Sequence, residues 1–197
     1  MKKILIVVDY QHDFASPDGL LSVPDADKLS QNIQKRIDSD YDAVIYTFDT
    51  HTKEQYQGSE EEKLFPGIHC EFGTKGWKLF EIQPKTNKFD TELDNFSEPF
   101  SMVALENEYF FTKDVFDIWS GNEIYPRWFE ATFPADDVEI DVVGVATEFC
   151  VQMNILGLVE RGYKVNLIQD AVTGITPDGV ADAMKTFEEK GVEINGN

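Results

Sequence analysis

The chain has 197 residues, of which 42% are hydrophobic and 13% aromatic, enough for one compact domain with a proper core and too many for a disordered chain. Its formal net charge of −20 repels phosphates, which argues against nucleic acid and anionic membrane surfaces as partners. The two cysteines, Cys70 and Cys150, are too few for a disulfide framework.

Residues 4–8 are a short β-branched run ended by Asp9, which predicts a buried strand. The run is too brief for the roughly 7–15 residues of a signal-peptide core. No stretch approaches the ~18 apolar residues of a membrane span, so a cytoplasmic protein is expected. Residues 25–37 place Leu29, Ile33 and Ile37 four apart, predicting a helix capped by Asp25 or Asp27. Strands are expected over 43–48, 109–112, 139–145 and 165–168. Between them, 56–74 and 85–100 are rich in Gly, Pro, Asn and charge and read as long surface or functional loops. Residues 148–161 carry Val151, Ile155, Leu158 and Val159 at helical spacing and stop at Gly162. A last helix over 178–190 presents Val180, Met184 and Phe187 and stops at Gly191, and a final strand is expected over 191–194. This alternation predicts a single domain over 1–197. It is a three-layer α/β/α unit with a mostly parallel, about six-stranded sheet.

In such sheets ligands bind beyond the carboxyl ends of the strands, where Asp9, Asp49, His51, Lys113 and the 146–150 turn all fall. Cys150 follows a strand end and opens a predicted helix, whose dipole and free N–H groups would lower a thiol pKa and hold an oxyanion. A buried structural cysteine is the competing reading. Asp9 can take a proton from a thiol and return it to a leaving amine, or can simply close a turn. Asp13 better suits a turn or cap role. Lys113 can stabilise a thiolate, although a lone lysine at a strand end is usually solvated. Asp49 and His51, two apart in extended chain, point the same way, and His69 follows eighteen residues on. One carboxylate and two imidazoles leave positions open on a divalent metal, and Glu60, Glu61 or Glu62 could add another carboxylate. His12, the third histidine, is expected at the surface or behind the site.

Residues 6–14 (Ile-Val-Val-Asp-Tyr-Gln-His-Asp-Phe), 48–51 (Phe-Asp-Thr-His), 64–70, Lys113 and the Gly-Val-Ala-Thr-Glu-Phe-Cys-Val turn at 144–151 together resemble the isochorismatase-like cysteine hydrolases. Within that family they are most similar to the nicotinamidase/pyrazinamidase group. The resemblance implies a triad of Asp9, Lys113 and Cys150 that hydrolyses nicotinamide to nicotinate and ammonia through a thioester. It implies one divalent metal, zinc or else iron or manganese, on Asp49, His51 and His69, with Glu61 as an extra acidic ligand. Phe14 and Phe65 would hold a pyridine ring. Val145 and Ala146 would carry a cis peptide beside the oxyanion donors. The segment after Lys113 departs from the family pattern, and an aromatic stretch at 124–129 follows. Because this region can line the pocket, a related hydrolase of another small amide or ureido compound is the alternative. A small-molecule amide is the expected partner, and a homo-oligomer is compatible with the sequence.

Overall fold

The computed structural model describes residues 1–86, 99 and 101–196. Seven strands among these form one sheet in the order β3-β4-β2-β1-β5-β6-β7. They are β1 (Lys2–Val8), β2 (Ala43–Asp49), β3 (Met102–Leu105), β4 (Glu108–Lys113), β5 (Val138–Gly144), β6 (Lys164–Val172) and β7 (Glu193–Asn195). All pairings are parallel except β3 with β4. The expected strands are therefore present within a residue or so at most ends, while β6 runs four residues past its expected end. The sheet has one strand more than about six because β3 closes the β4 edge as a short antiparallel ribbon. Its half-exposed Met-Val-Ala-Leu carries too weak an apolar signal to be read as a strand.

β1 is the centre of the molecule and its side chains alternate between the two faces. Ile4, Ile6 and Val8 enter one core, and Leu5 and Val7 the other. The first core is covered by α5 (Ile118–Gly121), α6 (Tyr125–Thr132), α7 (Gln152–Glu160) and α8 (Pro177–Glu189). The second is covered by α1 (His12–Ala15), α2 (Ser30–Ile37) and the segment holding Trp77, Phe80 and Ile82. Each fully buried Ile, Leu, Val or Phe contributes about 1.5–3 kcal/mol, so a strand buried on both faces, as β1 is, anchors the domain. Two short helices follow β2: α3 (Lys53–Tyr56) ends where the expected loop over 56–74 begins, and α4 (Glu60–Leu64) lies within it. The expected loop over 85–100 falls largely outside the described residues.

Local chemistry explains the differences at element ends. The predicted helix over 25–37 begins as a 3-10 turn, Ala26–Leu29, before α2 proper, and Asp25 stands at its cap with φ of 61° without a side-chain cap bond. α8 begins at Pro177 because Thr176 accepts a hydrogen bond from the Gly179 N–H and proline at the first helical position needs no donor. The aromatic stretch at 124–129, in a region that can line the pocket, packs inward. Tyr125 and Phe129 are fully buried, ringed by Trp119, Trp128 and Phe133. Gly157 lets α7 approach this cluster, since a Cβ there would lie 2.1 Å from the Trp119 indole.

Gly157→Ala should therefore lower the melting temperature by several degrees, because overpacking typically costs about 1–3 kcal/mol against the ~1 kcal/mol that alanine gains over glycine in a helix. A thermal unfolding curve shifted upward would show that this contact is not tight.

Candidate active site and metal centre

The sheet order brings four strand ends together. β4, β2, β1 and β5 are consecutive neighbours, so Lys113 pairs with Asp49, Val8 pairs with both Thr47 and Gly144, and Asp9 follows directly. Asp9 turns off β1 in the left-handed region, φ 46°, which directs the chain away from the sheet. Gly144, at φ 116°, allows β5 to end against β1. A Cβ there would lie 2.1 Å from the Val8 carbonyl oxygen. The Val145–Ala146 peptide that follows is cis.

Lys113 is the hub of the resulting cluster. Its ammonium lies 2.8 Å from Asp9 Oδ2, 3.0 Å from Asp49 Oδ1 and 3.5 Å from the Cys150 sulfur. It is only 1% exposed, so the solvated surface lysine that its position alone would suggest is not what forms. The Thr47 hydroxyl donates to Asp9 Oδ1 at 2.6 Å and fixes that carboxylate from the other side. Burial raises the Asp9 carboxyl above its ordinary value, with Lys113 pulling against it and Asp49 adding to it. Burial alone would lower the Lys113 pKa, but the charges of Asp49 and Asp9 outweigh it and hold the ammonium charged.

Cys150 departs from expectation in two ways. It sits in a π-type turn, Thr147–Val151, with Phe149 in non-helical backbone (φ −120°, ψ −106°), and α7 starts only at Gln152. Its thiol is also pushed well above the ordinary value, by burial first and then by the Asp9 and Asp49 charges, with Lys113 opposing. The expected helix-dipole lowering is therefore not the dominant effect. Glu148, in the same turn, accepts hydrogen bonds from the Ile175 and Thr176 N–H groups at 2.9 and 2.8 Å and ties down the chain leading into α8.

A second buried cluster adjoins the first through Asp49, whose other oxygen faces the imidazoles. Asp49 Oδ2 lies 2.9 Å from His51 Nε2 and 3.4 Å from His69 Nε2, while Glu61 Oε1 lies 3.6 and 3.2 Å from the same two nitrogens. One donor atom from each of Asp49, His51, Glu61 and His69 lies within 4.8 Å of every other, and all four residues are buried. Two carboxylate oxygens and two imidazole nitrogens converging on one point suit a divalent cation of the zinc, iron or manganese type. Glu61 Oε2 is buried without a hydrogen-bond partner, a further sign that this carboxylate is built for a ligand. Burial would lower both histidines, but Asp49 and Glu61 overcome it and pull each imidazole up to about 9. Of the three glutamates in sequence, α4 turns only Glu61 inward. Glu62 instead caps the preceding turn by accepting from the Gly58 N–H at 2.6 Å.

The pocket above Cys150 is narrow and largely apolar, and part of it is open to solvent. Phe14 and Phe65 both line it, with Leu21, Val23, Ile175, Ala146 and Glu61. Two further rings, Phe116 and Phe149, were not singled out from sequence. Phe65, Phe116 and Phe149 pack edge-on or tilted with centroids 5.4–6.2 Å apart and form one wall. Phe116 stands three residues after Lys113, and that spacing past a strand end was the available signal. Gln11 is the other omission. Its side-chain amide donates to the Asp49 carbonyl and accepts from the Asp49 N–H, at 2.8 and 2.7 Å, and so locks the end of β2 to the turn after β1. His12 is partly exposed and stacks edge-on to Phe80, away from the donor cluster.

The isochorismatase domain model matches residues 3–195. The nicotinamidase of Saccharomyces cerevisiae is 27% identical over 204 aligned residues, covering 89% of this chain and 90% of the relative. The nicotinamidase/pyrazinamidase of Mycobacterium tuberculosis is 25% identical, covering 98% and 97%. Among solved structures, the pyrazinamidase of Pyrococcus horikoshii in complex with zinc superposes with a TM-score of 0.76 at 24% identity, covering the whole of both chains. The match spans both the strand ends that carry the lysine-centred cluster and the segment that carries the four metal-type donors, so the chain belongs to the isochorismatase domain family.

Proposed function

We propose that this chain is an amidohydrolase that converts nicotinamide to nicotinate and ammonia through a thioester on Cys150. The observation that carries this reading is the buried ammonium of Lys113. It touches a carboxylate and a thiol at the floor of an aromatic pocket, beside a four-donor cation site. The names of the relatives, nicotinamidase and nicotinamidase/pyrazinamidase, point to the same chemistry.

In this reading Asp9 takes the thiol proton as the Cys150 sulfur attacks the carboxamide carbon. Raised by burial, the Asp9 carboxylate is a stronger base than an exposed one. The Lys113 ammonium offsets the charge on sulfur while the transfer proceeds. The carbonyl oxygen becomes an oxyanion and is held by backbone N–H groups at Ala146 and Cys150, in the turn that follows the cis Val145–Ala146 peptide. Collapse of the adduct expels ammonia, which receives the proton held on Asp9. Water then adds to the thioester, with Asp9 again as base, and releases the carboxylate and the free thiol. Phe14 and Phe65 grip the ring while the other aromatic side chains exclude water. A divalent ion on Asp49, His51, His69 and Glu61 would supply a Lewis acid able to fix a ring nitrogen. A nucleophile that must stay a free thiol suits a reducing cytosol. A second reading, hydrolysis of another small amide or ureido compound, is favoured by Phe116, which narrows the pocket from the segment that departs from the family pattern.

Purified, zinc-loaded protein mixed with nicotinamide should release ammonia, and Cys150→Ala should release none while still binding the ring. Retained turnover in that variant would overturn the covalent route, and silence from the parent chain with turnover of another amide would select the second reading. Lys113→Ala should lose turnover and about 3–5 kcal/mol of stability, because two buried carboxylates lose their counter-charge. Unchanged denaturant midpoints would contradict that pairing. His51→Ala should bind less metal by elemental analysis, and stripping the parent with a chelator should lower activity that added zinc restores.

A further inference from the structure

The Asp13 carboxylate is 5% exposed and belongs to neither cluster, yet it touches a loop from each side of the site. Oδ2 accepts from the Cys70 N–H at 2.8 Å, and Oδ1 accepts from the Leu20 N–H at 3.2 Å. Cys70 directly follows the metal-type donor His69, and Leu20 directly precedes Leu21, which lines the apolar pocket. The Asp13 main chain reinforces the tie to the Leu20–Leu21 segment, since its carbonyl accepts from the Leu21 N–H at 3.1 Å, and its N–H donates to the Gly76 carbonyl at 3.0 Å.

The tie to Cys70 bears on the donor geometry. Cys70 has φ 44°, a left-handed conformation that a non-glycine residue holds only when its surroundings enforce it. Asp13 holds the N–H side of that residue, and the His51 N–H holds its carbonyl at 3.1 Å. The turn that aims His69 is thus clamped between a second donor residue and Asp13. Room around the carboxylate is nil, because a Cβ on Gly76 would lie 2.1 Å from Asp13 Oδ2.

We infer that Asp13 is a positioning residue that couples the cation site to the pocket wall, so that order imposed on the His69 turn is passed to the Leu20–Leu21 segment. The inference rests on the reading of Asp49, His51, Glu61 and His69 as a metal site. Coupling of this kind is reciprocal, so whatever holds the pocket wall in place also tightens the cation site. Asn at position 13 offers one carbonyl oxygen and one NH2 group, so one of the two backbone N–H groups must face a donor instead of an acceptor.

The test uses full-length protein stripped of metal, with zinc alone as the probe. Affinity is read by competition with a chromophoric chelator, and amide hydrogen exchange is followed with and without zinc. In the parent chain, zinc should slow exchange both around His69 and over residues 16–23. In Asp13→Asn, zinc affinity should fall roughly 10–100-fold, the range for residues that support metal ligands, and the protection over 16–23 should vanish. Gly76→Ala, which displaces the same carboxylate and touches no donor, should shift both readouts the same way. Glu108→Gln is the control. It alters a buried carboxylate that accepts from Tyr46, Lys85 and Thr86, and should lower thermal stability without moving zinc affinity. Equal zinc affinity in the parent and both test variants, or zinc-dependent protection of 16–23 that persists in Asp13→Asn, would overturn the coupling and leave the metal site standing. A parent chain that takes up no zinc, iron or manganese would overturn both.

Discussion

Everything at the site depends on one cation buried among carboxylates. Lys113 brings its charge to a place where Asp9 and Asp49 would otherwise face each other without compensation, and an isolated buried carboxylate is too costly to remain ionised. The same ammonium fixes the separation between the two clusters, because it grips one oxygen of Asp49 and leaves the other free to face the imidazoles. Asp49 thereby belongs to both halves, and the proton-transfer and cation-binding geometries cannot drift independently. The sheet makes this possible. Only because β4, β2 and β1 are neighbours in register do three strand ends deliver lysine and two aspartates to one point.

The parts of this arrangement that were legible in sequence are those written in runs of β-branched residues. Each buried strand announces itself by such a run, and Asp9, Asp49 and Lys113 are visible as the polar residues that end or follow one. Cys150 was visible for the same reason, although its turn is π-type and burial raises its thiol. Glu61 was only one of three adjacent glutamates, and no spacing rule separates them. The short α4 does so by turning one of them inward. The antiparallel β3 was missed because an edge ribbon can be half exposed and need not be uniformly apolar. The aromatic stretch at 124–129 misled for the opposite reason. Aromatic density alone does not distinguish a pocket from a core, and here Tyr125 and Phe129 close the core beneath α7.

Gln11 and Asp13 show a further limit of sequence reading. Both lie in the stretch that marks the family, yet neither has chemistry of its own to suggest. Their importance lies in backbone groups sixty or so residues away, such as the Trp77 carbonyl that Gln11 reaches at 2.8 Å and the Cys70 N–H that Asp13 holds. Side chains that satisfy distant main-chain groups are set by tertiary structure, and a periodicity cannot encode their partners.

The balance of charge around the pocket has a consequence for turnover. Inside the site Asp9, Asp49 and Glu61 are offset by the Lys113 ammonium and by the His51 and His69 imidazoles, whereas the chain as a whole carries −20. An uncharged amide approaching this surface meets no electrostatic barrier. The carboxylate into which the proposed reaction turns it is repelled by the field that its precursor did not feel, and the repulsion weakens as salt screens it. The acidity of the molecule then acts as a directional element, admitting the neutral reactant and hastening departure of the anion, so product should cling more tightly at high ionic strength than at low.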